Sequence, residues 1–165
     1  MQILSLKIVY AIFLLLFYAV LAYGRNMVWM DEYSLCFDAV INSPDKVRSH
    51  LNFANALVTV GLPERAIKEY HSVLEKDPRQ FNAYIGIGGA NLVMKNWEKA
   101  LIAYNQALSI QPDSSIARTN LGIVYMNTKR IDKAIEEFKT AITLWPDNEL
   151  ARQNLIYLDK QRTSQ

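Results

Sequence analysis

The stretch "SIARTNLGIVYMNTKRIDKAIEEFKTAITLWPDN", residues 115–148, decides the fold. Leu121, Gly122 and Tyr125 recur at helical spacing in its first half, and Ala134, Phe138 and Ala141 do so in its second. A polar turn separates the two stripes, which makes the segment an αα-hairpin. Pro146 follows the second stripe. It stops the helix, because proline lacks the backbone donor and disfavours helix at the residue before it.

Counting back from Pro146 finds Pro112, Pro78 and Pro44, each 34 residues from the next. A fixed period of this length marks a stack of repeated supersecondary units. Residues 47–80, 81–114 and 115–148 are then three equivalent hairpins. The second offers Tyr84, Ile87, Gly88, Trp97, Ala100, Tyr104 and Ala107; the first offers Phe53, Ala54, Leu57, Ala66, Tyr70 and Val73. Small residues (Ala54, Gly88, Gly122; Ala66, Ala100, Ala134) recur where two helices cross, and Tyr70, Tyr104 and Phe138 fill the gap to the next helix. Pro63 opens its helix, where a missing N–H costs least. Asp113 and Asp147 stand where the following helix wants a cap or an acidic first turn.

These residues and this period resemble the tetratricopeptide repeat over residues 47–148. The resemblance implies an all-α solenoid of three hairpins with first helices lining a concave groove. Residues 149–165 restart the first-helix pattern with Ala151, Asn154, Leu155 and Leu158, then run into polar residues. They form a capping helix, one apolar face on the last repeat and the other in water.

At the other end, residues 1–23 carry an apolar run that reaches from Ile3 to Tyr23, interrupted by Ser5 and Lys7. A bilayer core of roughly 30 Å needs about 20 helical residues at about 1.5 Å each. The run reads as a transmembrane anchor over residues 3–23 with Lys7 reaching back to the headgroups. It also reads as a signal peptide with Val20-Leu21-Ala22 as the cleavage site. Both readings export the remainder of the chain, so the expected location is a single-pass membrane protein with its repeats extracytoplasmic, in periplasm or lumen.

Residues 24–46 form the junction. On the 34-residue ruler they hold a degenerate half repeat, with Cys36 and Ala39 at the positions of Tyr70 and Val73 and Glu32 in an alanine slot. Cys36 is expected as a small buried apolar residue, since no base or cation is evidently paired with it. Arg25, Asn26, Trp29, Asp31, Glu32, Leu35, Asp38, Ser43, Pro44, Arg48 and Asn52 resemble the membrane-to-repeat join of transmembrane, tetratricopeptide-repeat O-mannosyltransferases and their bacterial relatives. That resemblance implies extracytoplasmic repeats. It transfers no glycosyltransferase activity, because the polytopic catalytic portion of that family is absent.

Composition narrows the function classes. The 18 Lys+Arg and 16 Asp+Glu are nearly balanced and scattered, which argues against a nucleic-acid surface. One cysteine excludes a disulfide framework or a Cys-built metal site. His50 and His71 stand on different helices without a nucleophile nearby. The run "IGIGGAN", residues 85–91, lies inside a first helix with no Lys-Ser/Thr after it, so it is not a phosphate loop. Gly86 and Gly89 there cost about 1 kcal/mol each relative to Ala and read as drift in a tolerant repeat. No catalytic constellation, cofactor, metal or small-molecule substrate is expected, and the chain reads as non-enzymatic.

What remains is the groove. By the same resemblance its residues are Arg48, Asn52, Asn55, Asn82, Ile85, Gly89, Leu92, Ile116, Asn120, Ile123, Asn127 and Asn154. The family's carboxylate clamp for chaperone tails needs several Lys or Arg here. Only Asn55 matches, with Leu51, Ile116 and Asn120 in place of the basic partners, so that partner class is rejected. The pattern is similar instead to the asparagine-bearing groove of the O-linked N-acetylglucosamine transferase repeats, through Asn52, Asn120 and Asn154. A carboxamide both donates and accepts, so a ladder of them pairs with an extended peptide backbone; alternatively these asparagines bond only within their own hairpins. The expected function is a membrane-anchored protein-interaction module, scaffold or assembly factor of an envelope complex, or a cleaved, exported assembly chaperone.

Overall fold

A computed structural model describes the backbone of residues 2–43 and 45–163, and the side chains of residues 10, 12–21, 33–43 and 45–162. Pro44 therefore lies outside the described residues, as do the side chains of Lys7, used in the anchor reading, and of Arg25, Asn26, Trp29, Asp31 and Glu32, used in the junction reading.

Every secondary-structure element among the described residues is a helix: α1 (Gln2–Asn42), α2 (Val47–Thr59), α3 (Pro63–Lys76), α4 (Phe81–Val93), α5 (Trp97–Ile110), α6 (Ser115–Asn127), α7 (Ile131–Leu144) and α8 (Glu149–Thr163). Each helix packs on its neighbours in the chain, and α2 meets α4, α4 meets α6 and α6 meets α8. First helices of successive hairpins thus stack along one side, the arrangement of an α-solenoid.

Each hairpin turns through one left-handed residue: Gly61 at φ 81°, Lys95 and Lys129 at φ 59°. The following N–H reaches back to close the helix, Leu62 to Leu57 O at 2.8 Å, Asn96 to Asn91 O at 2.8 Å and Arg130 to Tyr125 O at 2.9 Å. This is the glycine-type helix stop, which two of the three turns build from lysine. Pro63 sits in the first turn of α3 as expected. The caps shift by one residue from expectation. Ser114 caps α6 by accepting from Ala117 N at 3.2 Å, and Asn148 Oδ1 accepts from Ala151 N at 3.0 Å, so Asp113 and Asp147 precede the caps.

The core follows the period. Ala66, Ala100 and Ala134 are fully buried, and Tyr70, Tyr104 and Phe138 nearly so. A Cβ on Gly88 would fall 2.4 Å from the Tyr104 ring, and one on Gly122 would fall 2.6 Å from the Phe138 ring. Those glycines let each large ring lie flat on its own hairpin's first helix.

At the N-terminal end the last turns of α1 pack on the first hairpin through Tyr33, Cys36 and Val40. The Tyr33 and Phe37 rings lie 5.4 and 5.5 Å from the Phe53 ring. The half-repeat alignment is imperfect: Cys36 is half-buried, and Ala39, placed one period before the buried Val73, faces solvent. Further up α1, Tyr10, Ile12, Phe13, Leu15, Leu16, Phe17, Tyr18, Val20 and Leu21 are all more than half exposed. Among the described residues no helix is long and apolar enough to cross a membrane; the side chains of residues 3–9, 11, 22 and 23, which complete the expected span, lie outside them.

At the other end α8 buries Ala151 and Leu158 against the last hairpin. Its outer face is less polar than expected, since Leu150, Ile156 and Tyr157 are exposed.

Candidate peptide-binding groove

The stacked first helices bring Arg48, Asn52, Asn55, Asn82 and Ile85 together in one recess and Ile116 and Asn120 in another, while Gly89, Leu92, Ile123, Asn127 and Asn154 line neither. Arg48, Leu51, Asn52 and Asn55 of α2 face Asn82, Ile85 and Gly86 of α4 around a recess of about 380 Å³. Ile116, Thr119 and Asn120 of α6 meet Trp145, Asn148 and Leu150 around a smaller one of about 160 Å³. In both, carboxamides stand beside apolar side chains.

The carboxamides differ in what they still offer. Tyr70 Oη donates to Asn55 Oδ1 at 2.6 Å, which leaves the Asn55 amide group as a donor toward the recess. Burial pushes the Tyr70 phenol up to about 12, so it remains a proton donor through the neutral range. Asn127 and Asn154 spend a donor on the carbonyls of Ile123 and Leu150, four residues back, at 2.8 Å each, and present their oxygens outward. Asn52, Asn82 and Asn120 take no side-chain partner among the described residues. Carboxamides of this kind offer both donors and acceptors, the two groups that an extended backbone presents. The asparagines thus divide: Asn127 and Asn154 bond within their own helices, Asn55 bonds within its own hairpin, and Asn52, Asn82 and Asn120 do neither.

Leu51 and Val58 pack on the first core cluster, Ile85 and Leu92 on the second hairpin's, and Ile123 and Met126 on the last. They form a half-buried apolar floor, with less of each side chain facing the groove than expected. Thr119 borders the smaller recess but turns its hydroxyl into the fold. It is 3% exposed, donates to Ser115 O at 2.8 Å and accepts from Asn148 Nδ2 at 2.8 Å. The same Asn148 Nδ2 reaches Ser115 Oγ at 2.7 Å, and Ser115 Oγ donates to Ala141 O at 2.8 Å. This knot joins α6, α7 and α8, and sequence reasoning missed it; the buried Asn one residue after Asp147 was its only signal.

Gly86 has a reason that sequence reasoning did not find. A Cβ there would lie 2.1 Å from the Tyr70 ring, so the phenol reaches Asn55 through a gap that only glycine leaves. Gly89 has no such neighbour: its Cβ would meet only Tyr104 Oη, at 3.9 Å.

Among the described residues no group of three His, Cys, Asp or Glu side chains gathers as a metal site. His50 Nδ1 lies 2.8 Å from Glu69 Oε2 and ties α2 to α3, while His71 is exposed on α3.

Two family models, both described as tetratricopeptide repeat, match residues 51–115 and 92–153, together spanning residues 51–153. Among solved structures, MamA residues 41–end from Desulfovibrio magneticus RS-1 is 21% identical, with 84% of this chain and 78% of that one covered and a TM-score of 0.71. YrrB, titled a TPR protein with an unusual peptide-binding site, is 19% identical over 80% of this chain and 68% of that one, TM-score 0.68. The second TPR domain of human RPAP3, solved in complex with an HSP70 peptide, is 23% identical over 67% of this chain and 92% of that one, TM-score 0.63. No curated protein matches the chain.

Proposed function

Because this chain belongs to the tetratricopeptide-repeat family, a family of protein-interaction modules, we propose that it is a membrane-anchored scaffold or assembly factor holding an extended segment of a partner protein at the extracytoplasmic face. The observation that carries the binding reading is the recess between α2 and α4, where Arg48, Asn52, Asn55 and Asn82 surround Leu51 and Ile85. Its polar groups address the peptide backbone, and its apolar floor takes alternate side chains. The peptide-bound RPAP3 domain and the peptide site named for YrrB support this use of the fold.

Anchoring is supported by α1. The run of exposed apolar side chains from Tyr10 to Leu21 favours lipid or protein around it, since large contiguous apolar patches are uncommon on soluble monomers. The extracytoplasmic placement rests on the junction resemblance at residues 25–52. The competing reading, a released chaperone for exported clients, shares the groove and differs at the N-terminus.

Intact mass of the native protein, taken after separating membrane and soluble fractions, tests the anchor. A full-length mass in the membrane fraction is expected. A mass beginning near Tyr23 in the soluble fraction overturns the anchor and favours the released chaperone. A reporter fused at Gln165 that is active only in the cytoplasm contradicts the orientation.

A further inference from the structure

On the side of the solenoid formed by the second helices, α3 and α5 part around a cavity of about 800 Å³ floored by α4. Two departures from the repeat open it. Asn91 stands one period before Tyr125, whose ring fills the corresponding space between α5 and α7 and packs on two core clusters. Ala103 stands one period from both Glu69 and Glu137. Those glutamates bridge their hairpins, to His50 at 2.8 Å and to Arg118 at 2.9 Å. The second hairpin has Tyr84 and Ala103 in place of such a pair, and both line the cavity.

At the floor, Asn91 is 2% exposed. Its Nδ2 donates to Ile87 O at 2.9 Å, and its Oδ1 has no partner. The bond to Ile87 O fixes which end of the amide faces that carbonyl, since a flipped amide would set Oδ1 against the carbonyl oxygen and leave the acceptor still without a donor. The walls above it are apolar, from Ile67, Leu74, Met94 and Ile102, and the rim carries Lys68 and Lys99 against Glu64. We propose that this cavity is a second docking site, which takes a tyrosine side chain presented on an acidic segment of a partner protein. The ring replaces the one that Asn91 lacks relative to Tyr125, the buried Asn91 carboxamide turns toward it so that Oδ1 accepts from the phenol, and the two lysines face the flanking carboxylates. Cavities of this volume with one or two buried polar groups are typical recognition sites.

Titration of the full chain in zwitterionic lipid nanodiscs, with methyl-labelled methionine, tests this. Met94 lines the cavity, and Met126 packs on the last hairpin's core outside it. The probes are the blocked tripeptides Glu-Tyr-Glu, Glu-Phe-Glu and Lys-Tyr-Lys. The expected result is a Met94 shift with Glu-Tyr-Glu, none at Met126, and affinity at least about tenfold weaker for each of the other two, because a site built for a hydroxyl rejects the analogue without it. Asn91→Tyr should fold, by circular dichroism, and lose the Met94 response. Asn91→Leu should keep it and bind tyrosine and phenylalanine alike. Equal response of the native chain to Glu-Tyr-Glu and Glu-Phe-Glu overturns the proposal, as does an unmoved Met94.

Discussion

The phenol of Tyr70, on the second helix of the first hairpin, passes over Gly86 to donate to Asn55 on the groove side at 2.6 Å. A core residue thereby fixes the orientation of a recognition residue. Replacing Tyr70 by Phe keeps the packing and removes the bond, so stability should fall by about 0.5–1.5 kcal/mol. Partner capture should fall more than that loss explains, because Asn55 is then free to rotate. Urea melts beside a capture assay check both. Full capture by Tyr70→Phe would show that the orientation of Asn55 is irrelevant.

The same phenol predicts an alkaline limit. Its folded pKa is about 12, raised by burial above the ordinary value of 10.0, and burial raises Tyr104 as well. The neutral phenol is favoured in the fold, so this contribution is whole below pH 10 and is lost as the pH rises from 10 toward 12. Urea midpoints should therefore drop across that window, and less steeply in Tyr70→Phe. Parallel curves for the two proteins would contradict the assignment to Tyr70.

Gly86 and Gly89 are neighbours on α4 with opposite expected responses. Gly86→Ala puts a Cβ into the Tyr70 ring and should destabilise by about 1–3 kcal/mol. Gly89→Ala meets nothing closer than 3.9 Å and should stabilise by about 0.5–1 kcal/mol. Thermal melts of the two variants give the signs directly.

The three hairpin turns offer a matched set. Lys95→Gly and Lys129→Gly relieve left-handed backbone, worth about 1–2 kcal/mol, against the larger unfolded-state entropy of glycine, for a net gain of about 0.5 kcal/mol each. Gly61→Ala, with open space around its Cβ but φ at 81°, should cost about 1 kcal/mol. A gain from Gly61→Ala would mean that the turn geometry differs.

Asn148 caps α8 and bonds Ser115 and Thr119 at once. Asn148→Ala should cost about 2 kcal/mol through a lost cap and two buried hydroxyls stripped of a donor. Hydrogen exchange should show α8 opening before the hairpins. Uniform loosening of all helices would contradict this local role.

The period was legible because proline and small residues at fixed intervals leave few alternatives: Ala54, Gly88 and Gly122 mark helix crossings, and the rings of Tyr104 and Phe138 require the two glycines. That Arg48, Asn52, Asn55 and Asn82 lie close to one another was legible from the repeat register. What each carboxamide offers was not. Whether an asparagine bonds its own helix, as Asn127 does, or accepts from a distant phenol, as Asn55 does, depends on side-chain reach across helices. The role of Gly86 was hidden for the same reason, since its constraint comes from a residue 16 positions away. The Thr119–Asn148 bond was hidden because it crosses from α6 to the start of α8.

The most direct test of the groove is photo-cross-linking in intact membranes from two positions of the full chain. Position 82 lies in the recess between α2 and α4, and position 139 is exposed on α7, outside either recess. The account predicts a discrete protein adduct from position 82 that is absent from position 139 and lost when Asn52 and Asn55 are both changed to Ala. Equal adducts from both positions, or an adduct from 82 that survives the double change, would contradict a partner held in the groove.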